Sequence, residues 1–222
     1  MMRARSILIL HECQSARTRL GDDVGAVART LKSRAVDFTY AHVPRDRVLA
    51  TIDTGNARAG DPIALDVFRQ SRPLASIDLD AYSGLVICDH TECLTRLGSD
   101  AAFGMVVRAF VATDRPIVAV GHVPGALAGL RGSDDRSLIA GRRVTFATRC
   151  DDAVVCRISP SNDVERAITN AGALVKNERP GDEHVSVDAY LITAQNRRSA
   201  TTATRTILTF LDPISPSRMR AS

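Results

Sequence analysis

Aromatic residues and lysine are both scarce in this chain of 222 residues. It contains six Phe, three Tyr and no Trp, and its only lysines are Lys32 and Lys176. Nucleic-acid surfaces need clustered basic groups, often with aromatic side chains for stacking. Here the positive charge is carried by scattered Arg residues and the net charge is only +4. The composition therefore argues against a nucleic-acid partner.

Long hydrophobic runs and paired cysteines are lacking as well. The first apolar run, Ile7 to Leu10, is followed almost at once by Glu12 and is too short for a signal-peptide core or a membrane span. The five cysteines have no CxxC or zinc-finger spacing, which is typical of free thiols in a reducing compartment. These features predict a cytoplasmic protein without a membrane partner.

Short apolar segments alternate with helical patterns along the chain. This alternation predicts an α/β fold, a flavodoxin-like doubly wound parallel sheet sandwiched by helices in a single domain. The predicted strands are 6–11, 36–41, 85–88, 117–120, 144–147, 185–187 and 190–193. The predicted helices are 22–33, 101–112, 163–171 and 202–211, with a further helix after the strand at 117–120.

The domain is expected to span residues 1–211. The mixed, polar stretch at about 43–80 is predicted to be a lid-like insertion with one short helix near 65–69. Residues 212–222 contain two prolines between polar residues and are predicted to be a flexible tail.

One stretch, Ile117 to Leu130, reads I-V-A-V-G-H-V-P-G-A-L-A-G-L. Its apolar strand breaks at Gly121-His122 and a small-residue helix follows Pro124, which predicts a sharp strand-to-helix turn. In doubly wound sheets such a turn faces the crevice beyond the carboxyl ends of the strands, where ligands bind. Gly121, His122 and Val123 are therefore expected to line a ligand pocket.

This turn resembles the A-[IV]-C-H-G-P elbow of the ThiJ/PfpI family, in the class I glutamine amidotransferase-like superfamily. Three further segments resemble family motifs in the right order: 82–87 the strand leading into P-G-G-H-G, 141–145 the G-[RK]-[RK]-V-T segment, and 187–196 the V-D-G-N-L-I-T-G-[QR]-N segment. Residues 60–66 resemble the G-x-P-x-D-P insertion of the stress-chaperone and glyoxalase branch. The resemblance implies the family's fold and a homodimer.

The match also reveals two departures from the family pattern. Gly121 falls where the family carries its catalytic Cys, and glycine relieves the backbone strain of the elbow while leaving space. A gapless match sets Cys88, Asp89, His90 and Thr91 against P-G-G-H, and a carboxylate there would oppose a developing oxyanion. The chain is therefore not expected to be a cysteine hydrolase.

Two side chains retain a match to the family's acid–base groups. In the resembled family a helix acid hydrogen-bonds to the nucleophile, and counting back from Leu31 puts Asp23 at that position. The alternative is an acid that merely favours the helix N-terminus. His122 keeps the family's histidine and is interpreted as a proton shuttle. Its alternative is a structural histidine bonded to the backbone under the elbow.

Histidines also follow four of the predicted parallel strands, at His11, His42, His90 and His122. Glu12, Asp23 and Asp89 are near the same sheet edge, which predicts a shared acid–base pocket. No H-x-x-H or H-E-x-x-H spacing supports a metal, so neither a metal nor an organic cofactor is predicted. Cys13 and Cys88 also follow strands, and each is a candidate relocated nucleophile.

The leading hypothesis is an enzyme of small-molecule metabolism without the cysteine nucleophile. His122 with Asp23 or Glu12 would move protons in a hydration, elimination, isomerisation or cyclisation. The alternatives are a non-catalytic ligand-binding or chaperone-like protein, and a glyoxalase-like activity through a relocated cysteine.

Overall fold

Apolar side chains on consecutive strand residues are buried on both faces of the central sheet. The computed structural model describes residues 5–12, 22–43, 69–88, 97–148 and 161–212. In the first strand Ile7 and Ile9 pack into one hydrophobic cluster and Leu8 and Leu10 into another. Because strand side chains alternate between faces, this pattern requires a covering layer on each side.

Seven strands of the described residues form one sheet in the order β3-β2-β1-β4-β5-β9-β8. Neighbouring strands run parallel except β8, which is antiparallel to β9. A separate parallel pair joins β6 to β7. The strands are β1 Ser6–Glu12, β2 Asp37–Val43, β3 Arg72–Pro73, β4 Gly84–Cys88, β5 Ile117–Val120, β6 Arg143–Val144, β7 Leu174–Val175, β8 Val185–Asp188 and β9 Leu191–Ala194.

Helices cover both faces of this sheet. One face packs against α1 and α5, and the other against α2, α3 and α4. The helices are α1 Asp22–Ser33, α2 Ala101–Val111, α3 Val123–Ala128, α4 Ser161–Asn170 and α5 Ala200–Leu211. The predicted flavodoxin-like architecture is therefore confirmed. No helix in the described ranges is long and apolar enough to cross a membrane.

The predicted strand 144–147 is wrong in extent, since only Arg143–Val144 forms a strand. Side chains bind the backbone that a longer strand would have paired. The amide of Thr145 donates to Thr193 Oγ1 at 2.9 Å, and the amide of Phe146 donates to Asn177 Oδ1 at 3.1 Å.

The sheet is mixed at one edge because β8 and β9 form a hairpin. Ala189 turns the chain between them with φ 51°, in the left-handed region that suits tight turns. Asp188, at the end of β8, ties β6 to this hairpin by accepting the Arg143 amide at 2.9 Å and the Arg142 guanidinium at 3.0 Å. The Arg143 amide lowers the pKa of this carboxyl most, and Arg142 adds to the effect.

Most of the predicted lid-like insertion, and nearly all of the short helix predicted near 65–69, lies outside the described residues. The described end of that segment adds β3 to the edge of the sheet beside β2. Leu74 follows β3 and is buried against the core. The tail beyond Asp212 is also outside the described residues.

A buried arginine connects the loop before β4 to the end of α2. Arg115 is 6% exposed, and its guanidinium donates to the carbonyls of Leu79 at 2.6 Å and Tyr82 at 2.8 Å. The same group lies 4.0 Å from the centre of the Phe110 ring and donates to Thr113 Oγ1 at 2.7 Å. Arg115 therefore satisfies backbone carbonyls that burial would otherwise leave without donors.

Replacing this arginine is expected to be costly. Arg115→Met keeps the apolar stem but removes every donor, which should lower the free energy of unfolding by about 2–4 kcal/mol because buried carbonyls lose their partners. Urea unfolding measures the change. The control, Arg34→Met at an exposed position after α1, should change stability by less than about 0.5 kcal/mol. Equal stabilities of the two variants would contradict this role.

Candidate functional site

The strand-to-helix turn after β5 is fixed by three backbone hydrogen bonds. Gly121 has φ +66°, its amide donates to the Ala194 carbonyl at 2.8 Å, and its carbonyl accepts from the Ala147 amide at 2.9 Å. The His122 carbonyl accepts from the Gly125 amide at 2.9 Å and starts α3. Gly121 is therefore held in a conformation that L side chains rarely adopt. The predicted position of the turn, directly after Val120, is confirmed.

The space above Gly121 is open. A Cβ atom built on this residue would have no heavy atom of the described residues within 4 Å. At Gly125, four residues further on, the same atom would lie 2.8 Å from Val164 Cγ1. The glycine at 125 thus serves close helix packing against α4, whereas the glycine at 121 faces room for another group.

His122 is 5% exposed and is the first residue outside α3, with φ −89°. Its side chain makes no capping hydrogen bond to the helix. Val123 and Pro124, which follow it, are buried in the core. The imidazole is therefore largely shielded from solvent, one residue after a glycine whose Cβ position is open among the described residues.

Side-chain hydrogen bonds hold the segment 145–147, whose Ala147 amide binds the Gly121 carbonyl. Thr145 donates its hydroxyl to Asn177 Oδ1 at 2.8 Å, and Thr193 binds the Thr145 amide. Gln195 holds the adjacent chain by accepting the Glu178 amide at 2.8 Å and donating to the Glu178 carbonyl at 3.2 Å. These fully or largely buried groups keep Ala147 in place against Gly121.

A second group of polar residues lies at the same sheet edge, where β1 and β2 end. His11 and His42 are paired in register, with ring centroids 6.3 Å apart. Ser71 Oγ lies 3.0 Å from His11 Nε2 and 3.0 Å from His42 Nδ1. Burial lowers the pKa of the His42 imidazole. The predicted convergence of strand-end histidines therefore holds for this pair.

Ser71 was not predicted. It follows a segment without helical or strand periodicity, and a single serine in such a stretch carries no sequence signal. Asn177 was missed for the same reason, whereas Thr145 lies in the 141–145 segment that resembles a family motif. Gln195 belongs to a segment that resembles a family motif, and that match could have marked it as a position with a structural role.

The remaining predicted site residues occupy varied positions. Asp23 lies half-buried in the first turn of α1, where its carboxylate accepts the Val24 amide at 3.0 Å. Glu12 is the last residue of β1. Cys88 is the buried last residue of β4 and is paired in register with His11. Cys13, Asp89, His90 and Thr91 lie outside the described residues.

Geometry suited to a metal is not found in the described ranges. No group of three or more His, Cys, Asp or Glu side chains among these residues is arranged to hold an ion. The pair His11 and His42 with Ser71 offers two imidazoles and a hydroxyl that is within hydrogen-bond distance of both rings. Two imidazoles and a hydroxyl are groups that can exchange protons with one another.

Comparisons with known proteins agree with this architecture. No protein-family model matches the chain. The human protein named glutamine amidotransferase-like class 1 domain-containing protein 1 is 27% identical over 186 residues, which are 81% of this chain and 82% of that protein.

Solved structures share the fold over nearly the whole chain. Rapid Encystment Protein 24 kDa from Francisella tularensis has a TM-score of 0.72 at 17% identity, over 94% of this chain and 100% of that one. Glyoxalase III from Candida albicans has a TM-score of 0.69 at 13% identity, over 94% of this chain and 97% of that one. A ThiJ/PfpI domain protein from Brachyspira murdochii has a TM-score of 0.66 at 13% identity, over 96% of this chain and 99% of that one. Together these similarities support the class I glutamine amidotransferase-like superfamily, and the fold of the chain is that of the ThiJ/PfpI proteins.

Proposed function

We propose that this chain is a cofactor-independent enzyme of small-molecule metabolism in which His122 transfers a proton to or from a substrate bound over Gly121. One observation carries the proposal. The turn at the end of β5 presents open space at Gly121 and a largely dry imidazole in the next residue. A ligand in that space would lie beside a histidine, the side chain that most often transfers protons in enzymes.

Gly121 limits the reaction types. Matched to the family's elbow, this residue stands where the catalytic Cys would be, so no covalent intermediate forms at the turn. The reactions compatible with proton transfer alone are hydration, elimination, isomerisation and cyclisation. A glyoxalase-like reaction would require a relocated thiol, and Cys88, the described candidate, is only 1% exposed. Similarity to a glyoxalase III structure therefore supports the fold more than the reaction.

The second proton-transfer group in this proposal is Asp23 or Glu12. Both lie at the carboxyl end of β1 or in the helix that follows it, at the sheet edge where β5 also ends. Asp23 is half-buried and accepts the Val24 amide at 3.0 Å.

The histidine is tested directly once a substrate is found by a metabolite screen. His122→Ala should lower turnover by about 10²–10⁴-fold, because a positioned proton-transfer group contributes that much. Lys32→Ala, at the exposed far end of α1, is the control and should retain wild-type turnover. Steady-state kinetics measures both. Unchanged turnover in His122→Ala would refute the assignment.

Thiol alkylation distinguishes proton transfer by His122 from catalysis by a relocated cysteine. Treatment of the folded enzyme with iodoacetamide should leave turnover intact, since no sulfur takes part. Loss of activity on alkylation, with His122→Ala still active, would instead favour Cys13 or Cys88. Compounds that raise the melting temperature without being turned over by the wild type would favour a ligand-binding or chaperone-like protein.

The backbone at the elbow gives a prediction that needs no substrate. Gly121→Ala should lower the free energy of unfolding by about 1–2 kcal/mol, because alanine at φ +66° is strained although its Cβ meets no atom. Gly129→Ala is the matched control, with φ −77° and its Cβ 3.4 Å from the Gly98 carbonyl. It should cost less than about 0.5 kcal/mol. Equal costs in denaturant unfolding would show that the elbow is not held in this conformation.

Self-association is part of the proposal, and exposed apolar side chains support it. Leu174 is 58% exposed and Val175 42% exposed on β7, and Val187 is 38% exposed on the edge strand β8. A homodimer would cover these side chains through an isologous contact. Sedimentation at micromolar concentration should give a dimer, and Leu174→Arg should shift it toward monomer. A 23.9 kDa monomer at every concentration would contradict the dimer.

A further inference from the structure

The contact between His11, Ser71 and His42 has no role in the proposed reaction at His122. It joins three strands or strand ends at one edge: His11 is on β1, His42 on β2, and Ser71 comes immediately before β3. All three come from separate parts of the sequence. Ser71 Oγ is equidistant, at 3.0 Å, from one ring nitrogen of each histidine.

Hydrogen-bond chemistry restricts the states of this cluster. A serine hydroxyl has one proton to donate and lone pairs to accept with. Two neutral imidazoles can bind it in two ways: both donate an N–H to Oγ, which gives opposite tautomers, or one donates an N–H and the other accepts the O–H, which is the arrangement a relay needs. If Ser71 donates to His11 Nε2, both rings carry their proton on Nδ1. If it donates to His42 Nδ1, both rings carry it on Nε2.

We propose that His42, Ser71 and His11 form a proton relay, a further proton-transfer group beside His122 and its carboxylate, for a small molecule whose reaction begins with loss of a proton. The inference extends the proposed function and rests on it. His42 is the outer end, since it is half-buried, whereas His11 is only 4% exposed.

The relay balances in protons and charge. A substrate X–H bond breaks, its electron pair stays on the substrate, and its proton binds His42 Nε2. His42 then releases its Nδ1 proton to Ser71 Oγ, and Ser71 releases its hydroxyl proton to His11 Nε2. The positive charge ends on the His11 ring and His42 is neutral again.

Register places the relay near the elbow. His11 pairs in register with Cys88 on β4. Ile87, the residue before Cys88, pairs with Ala119 on β5. His11 therefore lies level with Val120, two strands away, at roughly 10 Å from strand spacing alone. A small molecule that contacts His122 over Gly121 can thus extend toward the second group without leaving the crevice edge.

The test reads the imidazoles directly. Long-range ¹H–¹⁵N NMR on ¹⁵N-labelled protein, assigned with single histidine variants, reports the tautomer of each neutral ring. His11 and His42 should show the same tautomer, or the same mixture of the two, and Ser71→Ala should abolish that agreement. Ser71→Thr keeps a hydroxyl and should restore it. His184, before strand β8 at the opposite edge of the sheet, is the internal control and should not change.

Opposite tautomers in His11 and His42, or no response to Ser71→Ala in a protein that still unfolds cooperatively, would overturn the relay. Kinetics gives an independent arm. Ser71→Ala should lower kcat about tenfold or more with little change in KM, because the hydroxyl moves protons and binds no substrate. If His122→Ala abolishes turnover and Ser71→Ala keeps the wild-type kcat, the relay is overturned and the proposed function stands. If His122→Ala has no effect, the proposed function fails, and the NMR result still decides whether the rings are coupled.

Discussion

The left-handed backbone at Gly121 is the constraint on which the site depends. It turns the chain from β5 into α3 within two residues, and this makes His122 the residue at the helix start. The turn is held from both sides, by the Ala194 carbonyl at the end of β9 and by the Ala147 amide in the segment after β6. Three separate parts of the chain therefore meet at one glycine.

The buried polar network around Thr145 explains how that meeting is maintained. A regular strand at 144–147 would have needed a neighbouring strand for its amides. Instead the side chains of Thr193 and Asn177 accept hydrogen bonds from the Thr145 and Phe146 amides. The Ala147 amide that follows binds the Gly121 carbonyl. Burial of these hydroxyl and amide groups is tolerated because each is hydrogen-bonded. The network is thus part of the site's support even though none of its side chains is proposed to react.

The sequence predicted the fold well because the signals were periodic. Ile117–Val120 reads as a continuous apolar run, as a strand buried on both faces must, and Val24, Val27 and Leu31 recur at helical spacing. The antiparallel β8 was harder, since its direction depends on the φ of Ala189 in the turn and not on side-chain pattern. The cluster at Ser71 was out of reach for another reason. It depends on tertiary contact between residues 29 and 60 positions apart.

His122 and the proposed relay of His42, Ser71 and His11 are positioned in different ways. His122 is placed by a turn whose conformation needs glycine, so the position tolerates little backbone change. His42 and His11 are placed by strand register, and their coupling depends on one hydroxyl from the segment before β3. A crevice with a group of each kind can treat two positions of one substrate differently.

A structure with a bound small molecule would show most directly whether substrate binds over Gly121 beside His122. Compounds that raise the melting temperature in a metabolite screen would be co-crystallised with the wild-type protein. We expect a ligand in the space over Gly121, with a polar atom within hydrogen-bond distance of the His122 ring. A ligand bound elsewhere, or a side chain of this chain filling the space at Gly121, would contradict it.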